Sequence, residues 1–171
     1  MRALGPGSVS TLLKVVLDVI CVLLWLALGV LIAAALAALL LPQDVDIWRR
    51  MAKAAARGPV LAAGLFAYAM STAVVLFIVL RLRRIFATLT SGDPFHPANV
   101  LRLRAVGFGL AALELINYGA NLVSGWAFRD QLQSVRFPFH PTAWFAVLVV
   151  FVLAEVFREG ARLRSEAELT I

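Results

Sequence analysis

Residues that usually form metal centres and disulfides are scarce in this sequence, which has one cysteine and two histidines among 171 residues. Cys21 has no second cysteine with which to form an intramolecular disulfide, and one thiolate is too few for a cysteine-based metal site. We interpret it as a small apolar packing residue. The apolar runs of the chain predict a membrane protein in which His96 and His140 fall in loops on opposite sides of the bilayer. A shared histidine metal site is therefore not expected. The sequence therefore predicts no metal and no cofactor.

Recognisable catalytic motifs are also missing. The sequence has no glycine-rich phosphate loop, no serine nucleophile elbow and no paired-carboxylate signature. Charged residues make up only 15% of the chain. We therefore predict that the protein is not an enzyme, and we name no catalytic residue. A membrane enzyme that acts on lipid or quinone is the least favoured hypothesis.

Long apolar runs dominate what is present. Hydrophobic residues make up 62% of the chain and the mean hydropathy is +0.90, whereas a soluble domain is roughly half apolar. Residues 19–41 contain no charged side chain. About 20 apolar residues in a helix cross a bilayer core of about 30 Å, and in lipid the backbone must pair within the helix. The sequence predicts an all-α membrane protein with four transmembrane helices in a bundle.

The four predicted spans divide a single domain of residues 1–171. They cover residues 12–41, 60–80, 106–128 and 140–160, followed by a cytoplasmic tail at 161–171. The first run is longer than the roughly 7–15 apolar residues of a signal peptide, so we expect an uncleaved span. In the first loop, residues 44–57 place Ile47, Trp48 and Met51 at helical spacing. This pattern predicts a short amphipathic helix on the outer membrane surface, with a solvated loop as the alternative.

The distribution of positive charge predicts the orientation. Lysine and arginine number ten in the N-terminal segment, the second loop and the tail, and six in the first and third loops. The positive-inside rule then places both termini and the second loop in the cytoplasm of a bacterial cell, with the spans in the inner membrane. In a soluble chain the net charge of +6 would suggest nucleic acid. Between spans it indicates topology control and attraction to anionic lipid, not direct nucleic-acid binding.

Four polar residues interrupt the third span. Glu114, Asn117, Tyr118 and Asn121 follow i, i+3, i+4, i+7 spacing and so share one helical face. Polar groups at membrane depth are costly when unpaired, so this face should turn inward and Glu114 should be paired or protonated. We favour an interhelical hydrogen-bond seam. A proton or ion path and a binding site for a headgroup or small ligand are the alternatives.

Charged residues near the predicted cytoplasmic ends of the spans have local partners. Lys14 and Asp18 lie one turn apart and are predicted to pair. Glu155, Arg158 and the residues after them continue the last helix out of the membrane. Residues 166–171 alternate polar and apolar side chains, which suits an extended strand that could add to a partner's sheet edge. A frayed terminus is the more common outcome for such a segment.

The second loop holds the most distinctive local sequence, Ser-Gly-Asp-Pro-Phe-His-Pro-Ala-Asn at residues 91–99. Glycine and proline predict a turn, with Asp93 as the N-cap of a helix and Pro94 as its first residue. His96 before Pro97 is an alternative helix start. The residues from Val100 onward form an amphipathic lead-in to the third span.

Two stretches together resemble the bacterial membrane family called domain of unknown function 2975. They are residues 80–107, with the Gly-Asp-Pro-Phe…Asn turn, and residues 152–171, with the Glu-Leu-Thr-Ile ending. The four-span layout also agrees with this family. Its members are often encoded beside a small Cro-type helix-turn-helix regulator, so the resemblance implies a membrane partner or sensor for such a transcription regulator. The family has no assigned catalytic residues, and none is carried over.

Two functions from different classes follow from these patterns. In the first, the second loop and the tail bind the regulator through Arg84, Asp93, Pro94, Phe95, Asn99, Arg102, Arg158, Arg162, Glu168 and Ile171. In the second, the chain is a small transporter or channel component whose path is the polar face of the third span. That function would need a homo-oligomer, because four helices barely enclose a pore. The lipid bilayer is an expected partner in both cases.

Overall fold

The computed structural model describes residues 9–40, 58–90, 95–127 and 139–169. Within these ranges the chain forms no strand and four helices, α1 (Val9–Leu40), α2 (Gly58–Thr90), α3 (Pro97–Ala127) and α4 (Pro141–Glu168). The predicted all-α fold is thereby confirmed. The segment 44–57, predicted as an amphipathic surface helix, lies outside the described residues.

Three of the four helices are long and apolar enough to cross a membrane. These stretches are Leu13–Leu40 in α1, Leu61–Leu89 in α2 and Pro141–Ala167 in α4. The remaining helix, α3, is 31 residues long, but its arginines, its glutamate and its asparagines lower its mean hydropathy. The helices are consistent with a multi-pass membrane protein, and a crossing by α3 stays a prediction.

The outer surface of these helices is apolar. Only 6% of the most apolar part of α1 is buried inside the molecule, and Trp25, Leu26 and Val30 are each more than half exposed. Removing one such side chain from water is worth about 1.5–3 kcal/mol, so this surface is poorly suited to water. Lipid is the solvent that suits it, since each helix pairs its own backbone groups.

Each helix packs only against its neighbours in the chain. α1 contacts α2, α2 contacts α3 and α3 contacts α4, and among the described residues no other two helices come together. The bundle therefore takes the form of an open row of antiparallel helices. Within the described part of the chain, both faces of this row are left uncovered by protein.

Glycine allows α3 to approach both of its neighbours closely. A Cβ added to Gly109 would lie 2.8 Å from Cγ1 of Ile78 on α2, and one added to Gly107 would lie 3.1 Å from the ring of Phe151 on α4. The Phe151 ring also meets Phe108 edge-on, with the ring centroids 5.2 Å apart. Small residues at such positions let helix backbones approach each other in a membrane.

The interface between α1 and α2 contains a buried cluster that includes Cys21. This burial confirms the interpretation of Cys21 as a packing residue. Next to it, Oδ1 of Asp18 lies 2.7 Å from Nε of Arg83 on α2, although this buried oxygen makes no hydrogen bond to the described residues. Asp18 therefore pairs with Arg83 and not, as predicted, with Lys14, because the packing of α2 on α1 brings a second cation to the same carboxylate.

α4 is one continuous helix of 28 residues. Its C-terminal part is lined with ion pairs one turn apart, Arg158 with Glu155 and Arg162 with both Glu159 and Glu166. Each such pair favours the helical state by about 0.2–0.5 kcal/mol. The extended strand predicted for residues 166–171 is therefore wrong over 166–168, which continue the helix, and residues 170–171 lie outside the described part of the chain.

The close approach of α2 and α3 predicts the effect of adding one methyl group. Gly109→Ala should destabilise the protein by about 1–3 kcal/mol. Cγ1 of buried Ile78 cannot move away easily, because the χ1 angle that places it is restricted in a β-branched helical residue. Gly119→Ala in the same helix is the matched control, because nothing lies within 4 Å of its Cβ position. It should leave stability unchanged or raise it by up to about 1 kcal/mol. Thermal unfolding in detergent, followed by circular dichroism, compares the two, and equal midpoints would contradict this packing.

Candidate functional site

One end of the row, which we call the basic end, is where α2 ends and α3 begins. It carries Arg81, Arg83, Arg84, Arg102 and Arg104. Asn99, in the first turn of α3, is fully buried here. Its Nδ2 donates a hydrogen bond to Oγ1 of Thr88 at 2.8 Å, and its Oδ1 accepts one from Nη1 of Arg102 at 2.9 Å. A single side-chain amide thus joins the end of α2 to the start of α3.

Arg102 and Thr88 extend this network to the backbone of α2. Nη1 of Arg102 also donates to the backbone oxygen of Arg84 at 3.1 Å, and Oγ1 of Thr88 donates to the backbone oxygen of Ile85 at 2.7 Å. The fork of donors on a guanidinium suits it to bridging several oxygens at once. We call Thr88, Asn99 and Arg102, with the backbone of α2 that they contact, the polar clamp.

His96 precedes α3 and pairs with its first turn. The backbone N–H of Asn99 donates to the His96 carbonyl at 2.8 Å, and the backbone N–H of Ala98 donates to Nδ1 of His96 at 3.1 Å. The first N–H groups of a helix lack intrahelical partners. His96 accepts hydrogen bonds from two of them, through its carbonyl oxygen and its ring nitrogen. Pro97 then takes the first helical position, where its missing N–H costs little. The start at His96 and Pro97, given as an alternative from the sequence, is therefore the observed start of α3.

Phe95 connects the basic end to α4. Its ring lies 5.6 Å from the ring of Phe157, centroid to centroid, at an interplanar angle of 48°. It also covers Gly160, where an added Cβ would lie 2.6 Å from Cδ1 of Phe95. Arg104 of α3 reaches the same helix, with its Nη2 3.7 Å from Oε2 of Glu155. The turn before α3 and the C-terminal part of α4 are therefore adjacent.

The predicted partner-binding residues fall into four groups. Those exposed on the basic end and on α4 are Arg84, Phe95, Arg158 and Arg162. Those within the polar clamp are Asn99 and Arg102, which shape this surface from beneath. Glu168 is the last residue of α4. Those outside the described residues are Asp93, Pro94 and Ile171.

Two of the four polar residues predicted on the third span face α4. Glu114 is 9% exposed, and its Oε2 lies 3.3 Å from Nδ1 of His140, which occupies the N-cap position of α4. Nε1 of Trp144 donates to the hydroxyl of Tyr118 at 3.1 Å. These two pairs hold the start of α4 against the middle of α3, and His140 is the partner of the Glu114 carboxyl.

The other two polar residues face α2. Asn117 and Asn121 line a cavity of about 220 Å³ together with Tyr68, Ser71, Gly64, Ala67 and Ala120. The predicted single seam is thus divided between two interfaces. The division follows from the position of α3 inside the row, where it has a neighbour on each side.

The sequence did not identify His140 as the partner of Glu114. The residue was assigned to a loop, where it had no predicted contact. The available signal was Pro141, because proline favours the first helical position and the residue before it then becomes the N-cap. Within the described ranges, no three histidine, cysteine or acidic side chains lie close enough together to hold a metal ion.

Comparison with known proteins identifies one family. The family described as protein of unknown function (DUF2975) matches residues 48–171, which include all of α2, α3 and α4. No curated protein and no solved structure matches the chain. The resemblance drawn from the turn at Phe95 and the end of the chain is thereby confirmed, and the polar clamp lies within the matched region.

The polar clamp predicts a large effect for one small substitution. Asn99→Ala removes the partner of Thr88 and of Arg102 in a buried site, and an unsatisfied buried group costs about 1–3 kcal/mol. The control is Leu101→Ala, two residues away on the exposed face of α3, which should change stability by about 0.5 kcal/mol or less. Thermal unfolding in detergent measures both variants. An Asn99→Ala variant as stable as the wild type would show that the clamp contributes nothing.

Proposed function

Because the chain belongs to the family of proteins of unknown function called DUF2975, we propose that it is a membrane partner for a small helix-turn-helix regulator. In this proposal the basic end and both termini face the cytoplasm of a bacterial cell, and the regulator binds there. The chain acts by binding and not by catalysis. The excess of lysine and arginine on this side supports the orientation, and the resemblance to the family supplies the class of regulator.

The contact of Phe95 with α4 is the observation that carries this proposal. The two stretches that give the chain its family character are separated by 44 residues, 108–151. The contact of the Phe95 ring with the tilted ring of Phe157 and its close fit over Gly160 join the two stretches into one surface. A partner can therefore contact the second loop and the end of α4 at the same time.

The C-terminal part of α4 gives this surface its binding chemistry. All side chains from residue 162 to 167 are exposed, and among the large apolar ones Leu163 is 55% and Leu169 is 87% exposed. Apolar anchors within a charged rim are typical of protein interfaces. Since the segment is helical to Glu168, it suits docking in a partner's groove and not addition to a sheet edge.

Loss of this surface should release the regulator. Deletion of residues 165–171 combined with Phe95→Ala should reduce co-purification of a co-expressed small helix-turn-helix regulator by about tenfold or more, since the apolar side chains of Phe95 and Leu169 are lost. Phe145→Ala, an exposed apolar position near the other end of α4, is the control and should not reduce recovery. Membrane yield and helix content confirm that each variant is folded. Full recovery with the first variant would contradict the proposal.

A second candidate function, a transporter or channel component, is favoured by the cavity beside Asn117 and Asn121. The two residues line it from α3, and Tyr68 and Ser71 line it from α2. Glu114 lies one turn from Asn117 but pairs sideways with His140. An open row of helices encloses no pore among the described residues, so several copies would have to assemble.

This second candidate makes its own prediction. Glu114→Gln should abolish proton flux into vesicles that contain the purified chain, because the amide cannot take up and release the proton that the carboxyl would carry. Glu159→Gln, an exposed position on α4, is the control and should preserve flux. A pH-sensitive dye inside the vesicles reports the rate. No flux in the wild type, or equal flux in the Glu114→Gln variant, would reject transport.

A further inference from the structure

A groove of about 460 Å³ opens between α1 and α2 at the basic end. Its cationic walls are Lys14, Arg83 and Arg84, and its apolar floor is Leu17, Leu80, Phe86 and Ala87. The groove shares Arg84 with the polar clamp between α2 and α3: the backbone oxygen of Arg84 belongs to the clamp, and its side chain lines the groove. The groove lies apart from the surface on α4 that we propose for the regulator.

Positive charge in this groove exceeds negative charge. Arg83 is paired with Asp18 at 2.7 Å, which fixes its guanidinium beside α1. Lys14 and Arg84 are exposed, and neither side chain forms an ion pair with the described residues. Three cations and one carboxylate therefore leave the groove with an excess of two positive charges among the described residues, and Lys14 and Arg84 are the two cations that carry this excess.

The position of the groove along the helices coincides with the ends of the apolar runs. The uncharged part of α1 begins at Val19, directly after Asp18, and the uncharged part of α2 ends at Leu80, directly before Arg81. Lys14, Arg83 and Arg84 therefore lie where the apolar surface gives way to charge. In a bilayer this is the level of the headgroups, whereas Leu17 and Leu80 in the floor lie toward the acyl chains.

We propose that this groove binds the headgroup of an anionic phospholipid. The ammonium of Lys14 and the guanidinium of Arg84 hold the phosphate, and the acyl chain follows Leu17 and Leu80, which lie on the membrane side of these cations. Basic pockets between helices at the membrane surface suit anionic headgroups, and charge-assisted contacts to phosphate are stronger than neutral hydrogen bonds. A zwitterionic headgroup adds a positive charge of its own, which the same cations repel.

Native mass spectrometry of the full chain, purified in mild detergent, measures the bound lipid. Phosphatidylglycerol should be retained about tenfold or more over phosphatidylcholine, as expected from about 1 kcal/mol for each basic side chain near the headgroup. The variant Lys14→Gln/Arg84→Gln should lose this preference. The matched control Arg158→Gln/Arg162→Gln changes net charge equally on α4 and should keep it. The charge-preserving variant Lys14→Arg/Arg84→Lys should also keep it and guards against a folding defect.

Three results would overturn the proposal. Equal retention of the two lipids by the wild type would show that the groove does not select charge. Equal loss in the Arg158→Gln/Arg162→Gln control would show that net charge, not the groove, attracts the lipid. Release of phosphatidylglycerol by millimolar glycerol phosphate would show that a soluble phosphate compound, without an acyl chain, is the ligand.

Circular dichroism must show unchanged helix content in every variant, and loss of helix in the charge-preserving variant would assign the two cations a structural role instead.

Discussion

The buried amide of Asn99 is the contact on which the arrangement of the basic end depends. It pairs with Thr88 on α2 and with Arg102 on its own helix, so the angle between α2 and α3 is fixed where the chain reverses. Hydrogen bonds in a site of low dielectric are electrostatically stronger than in water, and an unmade bond there is correspondingly costly. The geometry of Asn99 also sets the position of Phe95, four residues earlier, which reaches α4. One buried polar residue thus orders three of the four helices at this end.

The open row explains why this end needs such a contact. A closed bundle locks each helix by contacts with two or more others, whereas within the described ranges α1 meets only α2 and α4 meets only α3. In lipid there is little hydrophobic force between helices, so packing and hydrogen bonds must hold them together. Gly107 and Gly109 bring α3 close to both neighbours, and the pairs Glu114–His140 and Trp144–Tyr118 hold the start of α4. Polar residues therefore lie at interfaces between consecutive helices and not around a central axis.

Local patterns predicted the helices well, and contacts between helices less well. Apolar runs placed α1, α2 and α4, because helix is the form in which a chain satisfies its backbone in lipid. The residues on one face of α3 were identified by their spacing, but spacing cannot say which helix stands opposite each of them. For this reason the seam was predicted as one line and occurs as two. The pairing of Asp18 with Arg83 was missed for the same reason, since the competing cation is local in sequence and the actual one is sixty-five residues away. The strand predicted at the end failed because alternation over a few residues was outweighed by the ion pairs that continue α4.

The proposed binding surface depends on the second loop and the end of α4 being adjacent in the membrane. A photoreactive benzophenone side chain introduced in place of Phe95 measures this directly in intact membranes. If the arrangement is correct, illumination forms an intramolecular crosslink to residues 153–162 of α4, and mass spectrometry of the digested protein locates it there. Crosslinks confined to lipid, or to α1, would contradict the arrangement and the surface built on it.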